Sequence, residues 1–218
     1  MAASVGSGSV AELNRLWRLA GTAFSFAFFG IGGLCCSLLL ALPLQLWPGT
    51  ALARRRRGQA LVRQLFRLFV GVMAGLGVLR YRVSGQPQLV GLQGHVVVAN
   101  HPSLIDVVLL LALLPHSNCV IKGSLLRNPL IRQILLAAGF IPNHLPPEPF
   151  LARCQQVLSE GDNLIIFPEG TRTTPGQPFK LQRSAAQVSL RCGAPLLPVT
   201  IRCTPTTLTK AEPWYRIP

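Results

Sequence analysis

Between Thr22 and Trp47 the chain runs for 26 residues without a charged side chain. About 20 such residues cross the hydrocarbon core of a bilayer, so any fold must seat this stretch in lipid or bury it whole. A cleaved leader has a shorter apolar core and different flanks. Here Glu12, Arg15 and Arg18 precede the run, and Ser9-Val10-Ala11-Glu12 has the pattern of a capping box opening a helix. The expectation is a retained hydrophobic helical membrane segment at the N-terminus. Arg54-Arg55-Arg56-Arg57 follows closely. Read as a polybasic linker, it is predicted to touch anionic head groups and to outweigh Arg15 and Arg18 in setting orientation. The remainder would then face the cytoplasm from an inner (cytoplasmic) membrane.

Lys and Arg number 21 against 7 Asp and Glu, a net charge of +14. Such an excess suits nucleic acid or an anionic bilayer. A nucleic-acid binder has no use for the uncharged run, and no aromatic-interleaved basic motif is present, so no nucleic-acid partner is expected. The six cysteines form no C-x-x-C pair and no metal-ligand spacing. They read as reduced residues, with Cys35 and Cys36 filling the anchor.

A second apolar run, Leu68 to Leu79, lies between Arg67 and Arg80 and is too short to span alone. It reads either as an interfacial helix packed on the first through Gly71-x-x-x-Gly75, or as a buried helix of the following domain. Both readings place a boundary near residue 80, dividing the chain into 1–79 and 80–218. Beyond it, apolar runs at His95–Ala99, Cys119–Ile121, Phe140–Ile141, Leu164–Phe167 and Leu196–Ile201 read as buried strands. Helix-length segments near Ser103–Leu114, Ser124–Ala138, Pro149–Ser159 and Leu181–Arg191 separate them. The alternation predicts an α/β domain, a largely parallel mixed sheet flanked by helices. In such sheets, sites gather at the carboxyl ends of strands.

Two phrases stand at such ends. In Asn100-His101-Pro102-Ser103-Leu104-Ile105-Asp106, Pro102 suits the first position of a helix and keeps His101 outside it. The imidazole can then fold over the first turn toward Asp106, whose carboxylate would fix one ring nitrogen and leave the other as a base. The plainer alternative is a capping histidine and a first-turn aspartate favoured by the helix dipole. In Phe167-Pro168-Glu169-Gly170-Thr171-Arg172, a carboxylate, a flexible backbone amide, a hydroxyl and a guanidinium fall close together. Arg172 and its neighbours suit phosphate, with Glu169 left to orient Arg172 or a substrate hydroxyl. An ordinary turn with an ion pair is the alternative.

Together these phrases resemble the paired signatures of the glycerolipid acyltransferases, the 1-acyl-glycerol-3-phosphate and lysophospholipid acyltransferases. Gly139-Phe140-Ile141 and Ala194-Pro195-Leu196-Leu197-Pro198-Val199 look like the family's two weaker blocks, so the resemblance extends from about Arg80 to Arg202. Two positions depart from the pattern. Pro142-Asn143-His144 stands where the family carries an arginine associated with the acceptor's phosphate, and Arg183-Ser184 stands where a glycine is usual. The resemblance implies a catalytic domain over 80–218, with His101 as general base and Asp106 holding its imidazole. Substrate binding would fall to Glu169, Gly170, Thr171 and Arg172, helped by Lys180 or Arg183. It implies a lysophospholipid acceptor in the membrane and acyl-CoA or acyl carrier protein as acyl donor, with no cofactor and no metal. An acceptor without a phosphomonoester stays open, as does a non-catalytic polybasic membrane protein. A Ser- or Cys-based hydrolase is disfavoured, since neither motif holds a nucleophile elbow or a cysteine. The seven acids are too scattered for a two-metal phosphatase.

Overall fold

The computed structural model describes residues 5–174, 176–178, 180–210 and 212–216. Helix α1 (Val5–Cys36) runs through a short π-helical turn at Ser37–Ala41 into α2 (Leu42–Leu46). It already includes Ser9, so the helix does not open at the Ser9–Glu12 phrase. After Pro48, Thr50 caps α3 (Ala51–Gly75) by accepting from the Ala53 N–H at 3.1 Å.

The strands and helices that follow are β1 (Val96–Ala99), α4 (Asp106–Leu113), β2 (Ser117–Ile121) and α5 (Pro129–Ala137). Then come β3 (Ile141–Pro142), α6 (Pro147–Ser159), β4 (Asn163–Ile166), α7 (Ser184–Cys192) and β5 (Leu196–Val199). The five strands form one sheet in the order β3-β2-β4-β1-β5, and every pairing is parallel. Val96, Val97, Leu164 and Ile165 are sealed from solvent at the centre of the sheet, as the continuous apolar runs require. The helix-length segment near Ser103–Leu114 is longer than its helix. Pro102 lies outside it, and α4 begins only at Asp106. The Asp106 carboxylate accepts the Ser103 N–H at 2.6 Å, holding residues 103–105 in a turn instead of a helical first turn.

The arginine run is not a linker. Arg54–Arg57 lie in the first turns of α3, and two of them reach the loop between α6 and β4. Arg55 Nε donates to Asp162 Oδ2 at 3.0 Å, and its Nη2 donates to Glu160. Arg56 pairs with Asp162 Oδ1 at 3.6 Å and donates to the Glu160 carbonyl at 2.8 Å. Gln59 adds a 2.7 Å bond to Asp162, whose side chain is fully buried. A chain that buries a carboxylate must pair it, and this one does so with the cations the sequence reading assigned to lipid. Arg54 and Arg57 are spent on the carbonyls of Gly49 and Pro48.

The second apolar run is likewise the C-terminal half of α3, and its Phe69, Val70 and Met73 are buried beside Val108 of α4. Gly71 and Gly75 play no part in that packing, since nothing approaches within 4 Å of where their side chains would be. Phe29 of α1 meets Phe66 and Phe69 instead, at ring separations of 6.0 and 5.0 Å. The close approach of α3 is at Gly58, where a Cβ would lie 2.2 Å from the Ala137 carbonyl oxygen of α5. Val62 of α3 and Ala41 share one core with Val97, Leu114 and Ile165, so residues 41–73 pack as part of the α/β body.

Candidate active site

Strands β1 and β4 lie side by side with Val98 opposite Ile166, so His101 and Glu169 stand the same three residues beyond that pair. This register brings the two phrases into contact at the carboxyl edge of the sheet. Asn100 closes the end of β1: its side chain donates to the Ile201 carbonyl at 2.8 Å and accepts the Ile201 N–H at 2.7 Å. His101 follows and is held on three sides. Its N–H donates to Glu169 Oε1 at 2.9 Å, and its carbonyl accepts the Thr173 N–H at 2.7 Å. Its ring stacks on Phe167 with centroids 4.3 Å apart.

Nδ1 of His101 lies 2.9 Å from Asp106 Oδ2. The pairing expected from the sequence therefore forms, by a turn over residues 103–105 and not by a helix beginning at Pro102. A carboxylate can only accept, so Nδ1 carries the proton there and Nε2 keeps its lone pair. The Asp106 side chain is 2% exposed and that of His101 is 17% exposed. The carboxylate is thus sheltered while the imidazole retains an outward path.

Glu169 is engaged by His101 and Thr173 and not by Arg172. Its Oε1 takes the His101 N–H and the Thr173 hydroxyl, at 2.9 and 2.8 Å, fastening one phrase to the other. Gly170 has φ +66°, which favours glycine, whereas the Gln182 side-chain amide 2.6 Å from a Cβ there could swing aside. Its N–H is taken by the Phe167 carbonyl at 3.0 Å and is not free for a ligand. Thr171 is exposed. Arg172, expected to meet phosphate, donates from Nη1 to the carbonyls of Leu208 and Thr209 at 2.8 and 2.9 Å, so that nitrogen is committed to the backbone. Lys180 and Arg183 are exposed just before α7 and make no ion pair among the described residues.

Three further residues shape this region: Asn100, Phe167 and Thr173. The first two lie inside the quoted phrases, but their roles depend on which strands become neighbours. Lys122 directly follows β2, which lies beside β4, so it stands exposed on the same carboxyl edge. Asn143, in the position of the absent arginine, braces that corner: its Oδ1 accepts the Gly123 N–H at 3.2 Å and its own N–H donates to the Ile121 carbonyl at 2.8 Å. Burial pushes the thiols of Cys119 and Cys154 up to about 12, with Cys192 adding to the effect on Cys154, so neither is a thiolate at neutral pH. Among the described residues, no three His, Cys, Asp or Glu side chains converge as a metal cluster would require.

The parallel α/β sheet carries a His–Asp pair, its aspartate buried, at the carboxyl edge, and residues 80–202 match the acyltransferase family; the chain belongs to it. Among curated relatives, the chloroplastic 1-acyl-sn-glycerol-3-phosphate acyltransferase of Arabidopsis thaliana is 29% identical over 113 residues, 50% of this chain and 32% of that protein. The enzyme of the same name from Brassica napus is 28% identical, again over 113 residues. This chain spans about a third of the length of these plant relatives, at 33% and 32%. The mouse 1-acyl-sn-glycerol-3-phosphate acyltransferase alpha is 24% identical across 93% of this chain and 71% of its own. The crystal structure of the 1-acyl-sn-glycerophosphate acyltransferase PlsC from Thermotoga maritima shares the fold, with a TM-score of 0.67 at 20% identity. The superposition covers 92% of this chain and 79% of that one.

Proposed function

We propose that the chain transfers a fatty acyl group from an acyl thioester, acyl-CoA or acyl carrier protein, to the free hydroxyl of a lysophospholipid. The first-choice acceptor is 1-acyl-glycerol-3-phosphate, giving phosphatidic acid. The observation that carries this reading is the His101 Nδ1–Asp106 bond of 2.9 Å at the open edge of the sheet. Nε2 of His101 removes the proton from the acceptor hydroxyl as its oxygen attacks the thioester carbonyl. Asp106 stabilises the imidazolium that results. When the tetrahedral intermediate collapses, the C–S bond breaks and the thiolate leaves with the proton from His101. No covalent enzyme intermediate is needed. Glu169 and Thr173 set the His101 backbone, and Phe167 limits the tilt of the ring.

Membrane attachment belongs to the same reading. Helix α1 is long and apolar enough to cross a bilayer, and little of it is buried. Leu13, Trp17, Phe24, Ile31 and Leu38 recur at spacings of four and seven residues and are all more than half exposed, forming one outward apolar stripe. The other face packs on the body along its length. Gly21 lies against Val78, Phe29 against Phe69, Gly33 against Ile131, and the Ser37 hydroxyl donates to the Leu130 carbonyl at 2.7 Å. A helix fastened lengthwise to a water-soluble body cannot stand across a bilayer without drawing that body into hydrocarbon. This favours a helix lying in one leaflet over a full span, with the carboxyl edge of the sheet reached from the lipid surface.

The acceptor's phosphate is assigned to Lys122, with Lys180 and Arg183 as further candidates, and Arg172 is assigned to positioning. The test compares a phosphate-bearing and a neutral single-chain acceptor in vesicles, with one labelled thioester donor. Lys122→Ala is expected to raise KM for the phosphate acceptor by roughly tenfold, a charge-assisted hydrogen bond being worth about 1.5 kcal/mol or more, and to spare the neutral one. Arg172→Ala is expected to lower kcat on both acceptors alike. A KM effect of Arg172→Ala confined to the phosphate acceptor would return Arg172 to the head group. Better use of the neutral acceptor by the unaltered chain would favour a lipid without a phosphomonoester, which the engaged Asn143 also suits.

A further inference from the structure

The segment after β5 does not trail away from the site. The Leu208 carbonyl accepts the Leu104 N–H at 3.3 Å as well as Arg172 Nη1, so this segment lies over the turn that carries His101 to Asp106. Leu208 is buried with φ +54°, a conformation a leucine adopts only where its surroundings hold it. Thr209 is fixed in turn by Glu212, whose carboxylate accepts both its N–H and its hydroxyl at 3.1 Å. The segment then reaches α1, where Trp214 packs on Phe26 with ring centroids 5.9 Å apart and Tyr215 stands edge-on to Trp214.

Trp214 and Tyr215 are nonetheless 45% and 61% exposed, next to a helix whose outward stripe includes the exposed Phe24. Large aromatic rings with a polar tip, left open beside an apolar helix, suit the head-group region of a bilayer. The charge agrees: Arg202, Lys210 and Arg216 are exposed along the segment, and its acid, Glu212, is occupied by Thr209. We infer that residues 202–210 and 212–216 form a strap whose aromatic foot, Trp214 and Tyr215, seats in the interface of an anionic bilayer while Leu208 bears on the turn after His101. The strap thereby couples lipid contact to the geometry at His101. This inference rests on the membrane attachment proposed above and adds a second lipid contact to that of α1.

The chain has three tryptophans, Trp17, Trp47 and Trp214, so the full chain carrying W17F and W47F reports on Trp214 alone. It is mixed with vesicles containing phosphatidylglycerol, some brominated high on the acyl chain and others near its end, and sedimented in parallel. The expected result is co-sedimentation with a blue shift of Trp214 emission, and stronger quenching by the shallow bromines. W214A with Y215A should then slow turnover of a bilayer-embedded acceptor several-fold while sparing a short-chain acceptor free in solution. Co-sedimentation with unshifted emission, or with undiminished quenching by aqueous iodide, overturns the strap and leaves the α1 attachment standing. Failure to sediment overturns both and is told apart by that fact. If the double substitution does not fold, the emission difference between the unaltered chain and W214F gives the same reading.

Discussion

His101→Ala is expected to lose acyl transfer by about 10² to 10⁴, the range a positioned general base contributes. Fold and vesicle binding should persist, because the His101 side chain contributes its bond to Asp106 and its stack on Phe167, while the contacts that join the two loops run through its backbone. Asp106→Asn should lose most of the activity by another route. The amide can still touch Nδ1, but it cannot offset the charge of the imidazolium, and as a donor it favours the wrong tautomer. Glu169→Gln separates the two kinds of role. Its loss disturbs the His101 backbone and should lower kcat with little change in the pH profile, whereas Asp106→Asn should shift that profile. A folded His101→Ala protein that keeps more than a tenth of the activity would remove the histidine from the mechanism.

The second large effect is on stability. Arg55→Ala is expected to cost about 3 kcal/mol, because it strands the buried Asp162 carboxylate with Gln59 and the more exposed Arg56 as its remaining partners. That corresponds to a Tm lower by roughly 10 °C for a chain of this size. Arg54→Ala, one residue away but bonded to the Gly49 carbonyl on the surface, should change stability by no more than about 0.5 kcal/mol. A simple role for the run in overall charge predicts equal effects. Acid sensitivity follows as well. Burial alone would raise the Glu160 carboxyl, but hydrogen bonds from Arg55 and Gln156 and the charges of Arg55 and Arg153 together hold it below its ordinary value. A depressed carboxylate contributes stability above its unfolded pKa and loses it as pH falls through the lower folded one. Unfolding measured from neutral pH downward should show this loss, and Arg55→Ala should flatten it.

These same residues mark where the sequence was legible. The five short apolar runs place every strand end to within two residues; the buried polar Ser117, Asn118 and Asn163 fall just outside the runs of β2 and β4, and β5 lies at the sheet edge with Leu196 half-exposed. The His101–Asp106 pair was readable because both partners lie within one turn. Arg55 was not: Glu160 and Asp162 are more than a hundred residues further along, and nothing near Arg55 distinguishes an arginine bound for lipid from one bound for a buried carboxylate. The protein partners of Glu169 and Arg172 are hidden for the same reason: Glu169 bonds across β1 and β4 to His101, and Arg172 reaches forward to Leu208. The α4 start failed locally, since Pro102 suits a first helical position, yet the Asp106 carboxylate captures the Ser103 amide and delays the helix.

Acyl transfer to a membrane lysophospholipid can be observed in a single assay. Purified full chain in anionic vesicles is given 1-acyl-glycerol-3-phosphate and a labelled acyl thioester, supplied in turn as acyl-CoA and as acyl carrier protein, and lipid products are resolved. Labelled phosphatidic acid is expected with at least one donor, and none with His101→Ala. Labelled free fatty acid in its place, or no labelled lipid from either donor, would contradict it.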